Sequence, residues 1–283
     1  MNTVHLISDV RAQVKTWQQE GACIGFVPTM GNLHAGHMRL VEAAKKQCDK
    51  VIVSVFVNPT QFGPNEDFDT YPRTLEADQA LLQQHGADLL FAPSINEMYP
   101  QDTFTWVDVD YLGDRLCGAK RPGHFRGVTT VVSKLLHITT PDCAFFGEKD
   151  FQQLAIIKRM ATDQLFATKI VGVPTEREAS GLALSSRNGY LSADEKAQAL
   201  NIYQQLQQAK AAIEAGERDY AALSVNATQA LTAAGFKVDY FEIVDAADLS
   251  PATNTTTELR ILTAAALGNT RLIDNISCII VQN

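Results

Sequence analysis

Regular alternation of apolar runs with helical patterns through residues 1–174 most limits the fold of this chain. The run from Val51 to Val57 is almost continuously apolar, as expected of a central strand buried on both faces. Strand candidates are 23–27, 51–57, 88–91, 143–146 and 169–173, and the helix candidates between them are 38–48, 73–85, 127–139 and 151–163. This order predicts an α/β fold with a doubly wound parallel sheet.

A change of pattern after Gly172-Val173-Pro174 predicts a domain boundary. The next stretch, 175–192, is polar and interrupted by glycine. The elements expected beyond it are helices at 193–215 and 220–234, strands at 238–244 and 258–266, and a surface loop or hairpin at 254–257. We therefore expect a larger domain over residues 1–174 and a smaller α+β domain over residues 175–283.

The segment from Pro28 to His37 has the pattern of a strand end, a glycine-rich turn and a helix start. Such a turn aims backbone N–H groups at an anion. His34 and His37 lie three residues apart, so on a helix both imidazoles point to the same side, where phosphates would bind. The pair alone also fits a solvated helix start or part of a metal site, although no third His or Cys has a suitable spacing.

Further polar segments follow other strand candidates. Asn58–Phe62 and Gly147–Asp150 stand at carboxyl ends of strands, where ligands of parallel sheets gather. Gly181–Asn188 adds two serine hydroxyls and a guanidinium. Each feature has a plainer interpretation, since Lys149 beside Asp150 also fits a surface ion pair and paired serines are ordinary turn residues.

Composition excludes several classes of function. The chain of 283 residues has a net charge of −8 and no long cluster of Lys or Arg, which argues against a nucleic-acid partner. No apolar run is long enough for a membrane span, and the N-terminus lacks a signal-peptide pattern, so we expect a cytoplasmic protein. Five scattered cysteines show no metal-binding spacing, and Cys23 and Cys143 are expected to be small buried hydrophobic residues.

Taken together, the motifs resemble the pantothenate synthetase family, the pantoate–β-alanine ligases. This family lies in the superfamily of nucleotidylyltransferases and class I aminoacyl-tRNA synthetases. The matching segments span nearly the whole chain and are 28–37, 56–62, 71–74, 121–128, 146–153, 181–188 and 271–275. The resemblance implies a Rossmann-like fold with a small C-terminal domain that closes as a lid.

The implied reaction makes chemical sense for these residues. A carboxylate does not condense with an amine at neutral pH, so pantoate is first activated by ATP as an acyl adenylate. Diphosphate leaves, and the amine of β-alanine then displaces AMP. Positioned donors stabilise the negative charge that accumulates on the phosphates, and no protein nucleophile is required.

The resemblance also implies which residues act. The catalytic set is His34, His37, Lys149, Ser185, Ser186 and Arg187. The ATP-binding set shares these residues and adds Met30, Gly31, Asn32, Leu33, Ala35, Gly36, Gly147, Glu148, Asp150, Glu176 and Leu184. Gln61 and Gln153 bind pantoate, because neutral amides hydrogen-bond a carboxylate without quenching its nucleophilicity. The resemblance further implies that ATP brings Mg²⁺ with it, without a dedicated metal site in the protein. It also implies a homodimer.

Two positions depart from the family pattern. The family usually has an aspartate before Gly181, where this chain has Ser180, and a small apolar residue where this chain has Glu176. A serine hydroxyl can replace a carboxylate as a turn cap. Two other functions remain open from the residues: another nucleotidylyltransferase, and a nucleotide-binding sensor without catalysis.

Overall fold

A computed structural model describes residues 1–64 and 66–280 of the chain. Its strands are β1 Asn2–Val4, β2 Ile24–Thr29, β3 Lys50–Val55, β4 Leu89–Phe91, β5 Cys143–Gly147, β6 Lys169–Val173, β7 Lys237–Asp245, β8 Glu258–Leu267 and β9 Thr270–Ile279. Its helices are α1 Ile7–Gln19, α2 Ala35–Gln47, α3 Leu75–Gln84, α4 Ile95–Met98, α5 Cys117–Lys120, α6 His124–Thr139, α7 Phe151–Asp163, α8 Ala193–Glu214 and α9 Tyr220–Ala233. Short 3₁₀ turns lie at Pro59–Gln61, Glu148–Asp150 and Ser186–Tyr190.

Six of these strands form a parallel sheet in the order β1-β4-β3-β2-β5-β6. Val51 and Val53 on β3 are fully buried, and so is Ile52 between them, which means that both faces of the sheet are covered. From β2, the chain adds β3 and β4 on one side of the sheet and then β5 and β6 on the other, so the strand order reverses at β2. Ligands of open α/β sheets bind at such a switch point, so the carboxyl end of β2 is the expected place for chemistry. The predicted α/β fold is confirmed.

Several element ends differ from the predicted ones for identifiable reasons. β3 ends at Val55 because Asn58 caps a 3₁₀ turn that starts with Pro59. α2 begins at Ala35, earlier than predicted, because His34 caps it. α6 begins at His124, since Gly123 takes a left-handed conformation with φ of 81° that ends the preceding loop.

Five elements were not predicted, namely β1, α1, the four-residue helices α4 and α5, and β9. β1 has only three residues, and α1 has no side-chain cap hydrogen bond to mark its start at Leu6. β9 was not recognised because Asp274 and Asn275 interrupt its apolar alternation. Both of these polar residues are nevertheless buried. Cys23 and Cys143, expected to be buried, are partly exposed, since they lie at or just before the amino ends of β2 and β5.

The chain forms two compact units. The first comprises Met1–Glu148 and Ile156–Pro174, and the second comprises Lys149–Ala155 and Thr175–Asn283. In the second unit β7, β8 and β9 form an antiparallel sheet, and 254–257 is a loop between β7 and β8. The predicted boundaries, 1–174 and 175–283, differ from these units by the segment Lys149–Ala155. Within the described residues, no helix has the length and apolar character needed to cross a membrane.

Close contact between α6 and the Pro59–Gln61 turn fixes the loop that carries Gln61. A Cβ on Gly127 would lie 2.2 Å from the carbonyl oxygen of Thr60 and 2.8 Å from Cα of Gln61. These distances are far inside van der Waals contact, so only glycine allows the helix to approach this turn. Gly127 therefore explains part of the 121–128 motif by packing.

Candidate active site

The turn after β2 joins the sheet to α2. Gly31 and Asn32 have left-handed backbone conformations, with φ of 83° and 52°. Glycine takes this conformation without cost, and asparagine tolerates it better than most residues. Thr29 donates its hydroxyl to the carbonyl oxygen of Ser54 on β3 and accepts the N–H of Gly31, so the turn is anchored to the neighbouring strand.

His34 and His37 cap α2 reciprocally. Nδ1 of His34 accepts the backbone N–H of Gly36 at 3.1 Å, and Nδ1 of His37 accepts the backbone N–H of His34 at 3.3 Å. The two rings lie 4.1 Å apart between centroids. His34 is therefore the N-cap and not a helical residue, which corrects the expectation that both histidines lie on one helical face.

This capping contact sets the tautomer of both rings. A backbone N–H only donates, so each Nδ1 must accept, and a neutral imidazole whose Nδ1 accepts carries its proton on Nε2. His34 and His37 each present an Nε2–H donor on the edge of the ring away from the capping contact. Two donors side by side suit an anionic ligand such as a phosphate group.

Several backbone N–H groups of the turn already have acceptors within the protein. The N–H groups of Asn32 and Leu33 donate to the carboxylate of Asp78 at 3.0 Å and 2.8 Å. The N–H groups of Gly31, His34 and Gly36 also have protein acceptors, so these five N–H groups hold the turn together.

Asp78 holds the turn before α2 and was not predicted from the sequence. It lies on α3, is only 2% exposed, and also accepts the hydroxyl of Thr74 at 3.2 Å. A Cβ on Gly31 would lie 3.0 Å from Oδ2 of Asp78, so the turn packs directly on this carboxylate. The available signal was its spacing, because Asp78 is four residues before the fully buried Leu82 and thus on the same face of α3.

Gln61 lies at the carboxyl end of β3 in a polar cluster. Its Oε1 accepts the side-chain amide of Asn58 at 3.1 Å, and its Nε2 donates to the sulfur of Met30 at 3.0 Å. A thioether is a weak acceptor, so a ligand oxygen can replace it favourably. Tyr99 donates its hydroxyl to Oδ1 of Asn58 at 2.9 Å, and burial raises the pKa of Tyr99 despite a hydrogen bond with Thr60.

An ion pair supports the Gln61 loop from the other side. Arg121 donates to both carboxylate oxygens of Glu66, at 2.6 Å and 2.5 Å, and His124 contacts the carbonyl oxygen of Gln61 through Nδ1 at 2.8 Å. Burial raises the pKa of Glu66, but the hydrogen bond and charge of Arg121 outweigh it and hold this pKa below its usual value. These contacts indicate that the 121–128 motif supports the loop that carries Gln61.

Gly147 and Glu148 follow β5 in the first unit. A Cβ on Gly147 would meet nothing within 4 Å, so packing of the protein does not require glycine there. In the second unit, Lys149 is partly buried and Asp150 is exposed. The Lys149 ammonium forms no ion pair with a carboxylate in the described part of the chain, so the surface-pair interpretation is wrong.

Gln153 lies on α7 with a partly buried side chain. Its amide has no hydrogen-bond partner among residues 1–64 and 66–280. An amide in such a setting retains all of its donors and acceptors for a ligand.

The loop from Glu176 to Arg187 in the second unit is shaped mainly by backbone contacts. The carbonyl oxygen of Glu176 accepts the N–H of Leu184 at 3.0 Å, and Arg177 pairs with Ala183 in a β-bridge. Ser185 caps the following 3₁₀ turn by accepting the N–H of Arg187 at 3.2 Å. Its hydroxyl hydrogen therefore remains a donor, as its predicted role requires.

Ser180 stands where the family pattern has an aspartate. It is exposed, and its hydroxyl lies 3.5 Å from the carboxylate of Glu178. The turn itself is closed by backbone bonds, from Gly181 N–H to the Glu178 carbonyl oxygen at 2.8 Å and from Glu178 N–H to the Leu182 carbonyl oxygen at 2.8 Å. The local turn thus forms without a carboxylate at position 180.

Comparison with known proteins decides the family. A family model described as Pantoate-beta-alanine ligase matches residues 2–277. The chain belongs to the pantoate–β-alanine ligase family. The pantothenate synthetase of Alcanivorax borkumensis is 60% identical and is matched over 100% of both chains. That of Pseudomonas aeruginosa is 54% identical, with 98% of this chain and 99% of the relative covered.

Solved pantoate–β-alanine ligases have the same fold. The crystal structure of pantothenate synthetase from Thermus thermophilus has a TM-score of 0.92 at 45% identity, with 98% of this chain and 99% of that chain covered. The ligase from Francisella tularensis, complexed with beta-gamma ATP and beta-alanine, has a TM-score of 0.83 at 38% identity, with 98% and 97% covered. The chain is therefore an enzyme that ligates pantoate and β-alanine. The alternatives of another nucleotidylyltransferase and of a sensor without catalysis are set aside.

Two substitutions of His37 separate its role as a hydrogen-bond donor from its role as a helix cap. Replacing either histidine by alanine should lower kcat about a hundredfold, the scale of losing one positioned donor. The Asn oxygen of His37→Asn takes the place of Nδ1 and keeps the cap, whereas the Gln nitrogen of His37→Gln takes the place of Nε2 and keeps the donor. We expect His37→Gln to retain more kcat and His37→Asn to retain more thermal stability. Steady-state pantothenate formation and thermal unfolding measure the two, and near-normal turnover of His37→Asn would contradict the donor role.

Asp78→Asn tests the carboxylate that holds the turn. Asparagine can accept only one of the two N–H groups and turns its own N–H₂ toward the other, so kcat should fall about tenfold or more through misplacement of the histidines. Asp142→Asn is a matched control, because Asp142 accepts the N–H of Ile24 at 2.7 Å at the opposite end of β2. The control should lower the free energy of unfolding by about 1 kcal/mol and leave kcat unchanged. Equal effects of both variants on kcat would refute the assignment.

Proposed function

We propose that the enzyme activates pantoate with ATP and passes through a pantoyl adenylate. A pantoate carboxylate oxygen attacks the α-phosphorus of ATP, and the bond to diphosphate breaks. The β-alanine amine then attacks the pantoyl carbonyl carbon, loses a proton, and displaces AMP. The product is pantothenate. The observation that carries this proposal is the histidine pair beside the sheet's switch point, with both Nε2–H donors set by the cap.

The histidine pair acts on the phosphates of ATP. Charge builds up on the α-phosphate and on the leaving diphosphate as the carboxylate attacks. Donors that are already oriented lower this barrier without reorganisation, which is the usual source of electrostatic catalysis. His37 donates its Nε2–H to a phosphate oxygen as a hydrogen bond and keeps the proton, because Nδ1 of the same neutral ring accepts the backbone N–H of His34. The complex of the Francisella tularensis ligase with beta-gamma ATP and beta-alanine supports ATP as the partner substrate.

Lys149, Ser185, Ser186 and Arg187 supply the remaining positive and hydroxyl donors. The ammonium of Lys149 lacks a carboxylate partner in the described chain, and the hydroxyl hydrogen of Ser185 is left over after it caps the turn. The Lys149 ammonium and the Ser185 hydroxyl can therefore donate hydrogen bonds to phosphate oxygens. The backbone of Glu176 and Leu184 and the open space beside Gly147 complete the proposed ATP contacts.

Gln61 and Gln153 bind pantoate in this account. Gln61 donates only to a weak sulfur acceptor, and the amide of Gln153 is without a partner in the described residues. Amide N–H groups can hold the hydroxyl and carboxylate oxygens of pantoate, while a cationic side chain in the same place would lower the nucleophilicity of the carboxylate.

Mg²⁺ would enter the site bound to the phosphates of ATP. Among the described residues, no group of three or more His, Cys, Asp or Glu side chains could hold a metal ion. Mg²⁺ commonly binds phosphate oxygens and waters with few protein ligands, and there it would neutralise charge on the leaving diphosphate. The homodimer, implied by the family resemblance, and the cytoplasmic location, expected from the sequence pattern, both stay predictions.

The test is AMP release from ATP and pantoate with and without β-alanine, with mass detection of pantothenate. We expect stoichiometric AMP and pantothenate only when all three substrates are present. ATP and pantoate should also each raise the melting temperature of the protein. ADP in place of AMP, or no nucleotide product from a protein that ATP stabilises, would contradict the proposal.

Ser180→Asp should leave kcat nearly unchanged, because backbone hydrogen bonds close that turn.

A further inference from the structure

The motif at 271–275 has no part in the chemistry described so far. Two of its residues, Asp274 and Asn275, lie next to each other on β9 and are 5% and 3% exposed. Polar side chains are buried at a cost unless they are hydrogen-bonded. Their partners therefore show what this pair does.

Asn275 holds the backbone of Lys149. Its side-chain N–H₂ donates to the carbonyl oxygen of Lys149 at 2.8 Å, and its Oδ1 accepts Nε–H of Arg260 at 2.6 Å. Arg260 is only 6% exposed, and its guanidinium stacks on the ring of Phe151 at 4.1 Å. Asn275 is thus oriented by a buried arginine, which in turn packs on the segment that carries Lys149.

Asp274 holds the loop that leads to Ser185. It accepts two N–H groups of Arg177 at 2.7 Å and 2.8 Å. Arg177 also donates to the carbonyl oxygen of Gly181 at 3.1 Å and stacks on Tyr203 at 4.1 Å. A paired, two-pronged arginine contact fixes orientation as well as distance. The Lys149 segment and this loop are therefore attached to neighbouring residues of one strand.

We propose that Asn275 is a positioning residue for Lys149, a role that rests on the proposed function of Lys149 in binding the phosphates of ATP. The contact to the Lys149 carbonyl oxygen fixes the backbone from which the ammonium extends. A displacement of about 1 Å at a charge that stabilises a transition state can cost up to a hundredfold in rate. Asn275 itself contacts protein and no reacting atom.

Asn275→Asp isolates this contact. Aspartate still accepts from Arg260 but replaces the amide donor by an oxygen that repels the Lys149 carbonyl. We expect kcat to fall at least about tenfold through displacement of Lys149. The melting temperature should also fall, because a buried repulsion replaces a hydrogen bond. Asn275→Ala removes the contact without adding charge and serves if the aspartate variant does not fold. Asp239→Asn is the matched control, since it removes the carboxylate charge that Arg271 of β9 contacts at 2.7 Å and does not involve Lys149.

A double-mutant cycle with Lys149→Ala distinguishes positioning from simple structural support. If Asn275 acts through Lys149, then Asn275→Asp has little further effect on kcat in the Lys149→Ala background. An equal fold-loss in both backgrounds, or wild-type kcat for Asn275→Asp, would overturn the inference. A wild-type enzyme that forms no AMP would instead overturn the proposed function, so the two failures are distinguishable.

Discussion

The proposed activation of ATP depends first on the reciprocal hydrogen bonds between the first turn of α2 and its two histidines. Because each Nδ1 accepts a backbone N–H, each Nε2 is left as a donor. The carboxylate of Asp78 fixes the preceding turn by accepting the N–H groups of Asn32 and Leu33. In a protein with a net charge of −8, anion binding then has to come from a few well-placed side chains.

Much of the fold could be predicted from the sequence because burial on both faces leaves a clear pattern. The continuous apolar run of β3 and the helical patterns between strands predict a parallel sheet, which the structure confirms. The elements that escaped were those where the pattern is short or mixed. β1 has three residues at the sheet edge. β9 carries buried polar residues with partners far away in sequence, 126 positions for Asn275 and Lys149 and 97 for Asp274 and Arg177.

The candidate site was predicted as a set of residue types, but its geometry was not. Spacing predicted that His34 and His37 would meet, yet it placed both on a helix, whereas His34 is the cap. Asp78 was missed because a buried carboxylate in a helix has no signature in a single sequence beyond its apolar neighbours. The role of Gly127 also depends on a contact with Thr60 that only the folded chain contains. The assignments of individual ligand contacts stay predictions.

The most direct test of the central claim follows oxygen from pantoate to AMP. If pantoate is activated as an acyl adenylate, a carboxylate oxygen bonds to the α-phosphorus and stays with AMP when β-alanine attacks the carbonyl carbon. Pantoate labelled with ¹⁸O in its carboxylate should therefore give AMP that carries one labelled oxygen for each pantothenate formed. Unlabelled AMP, or label in inorganic phosphate together with ADP, would contradict the account.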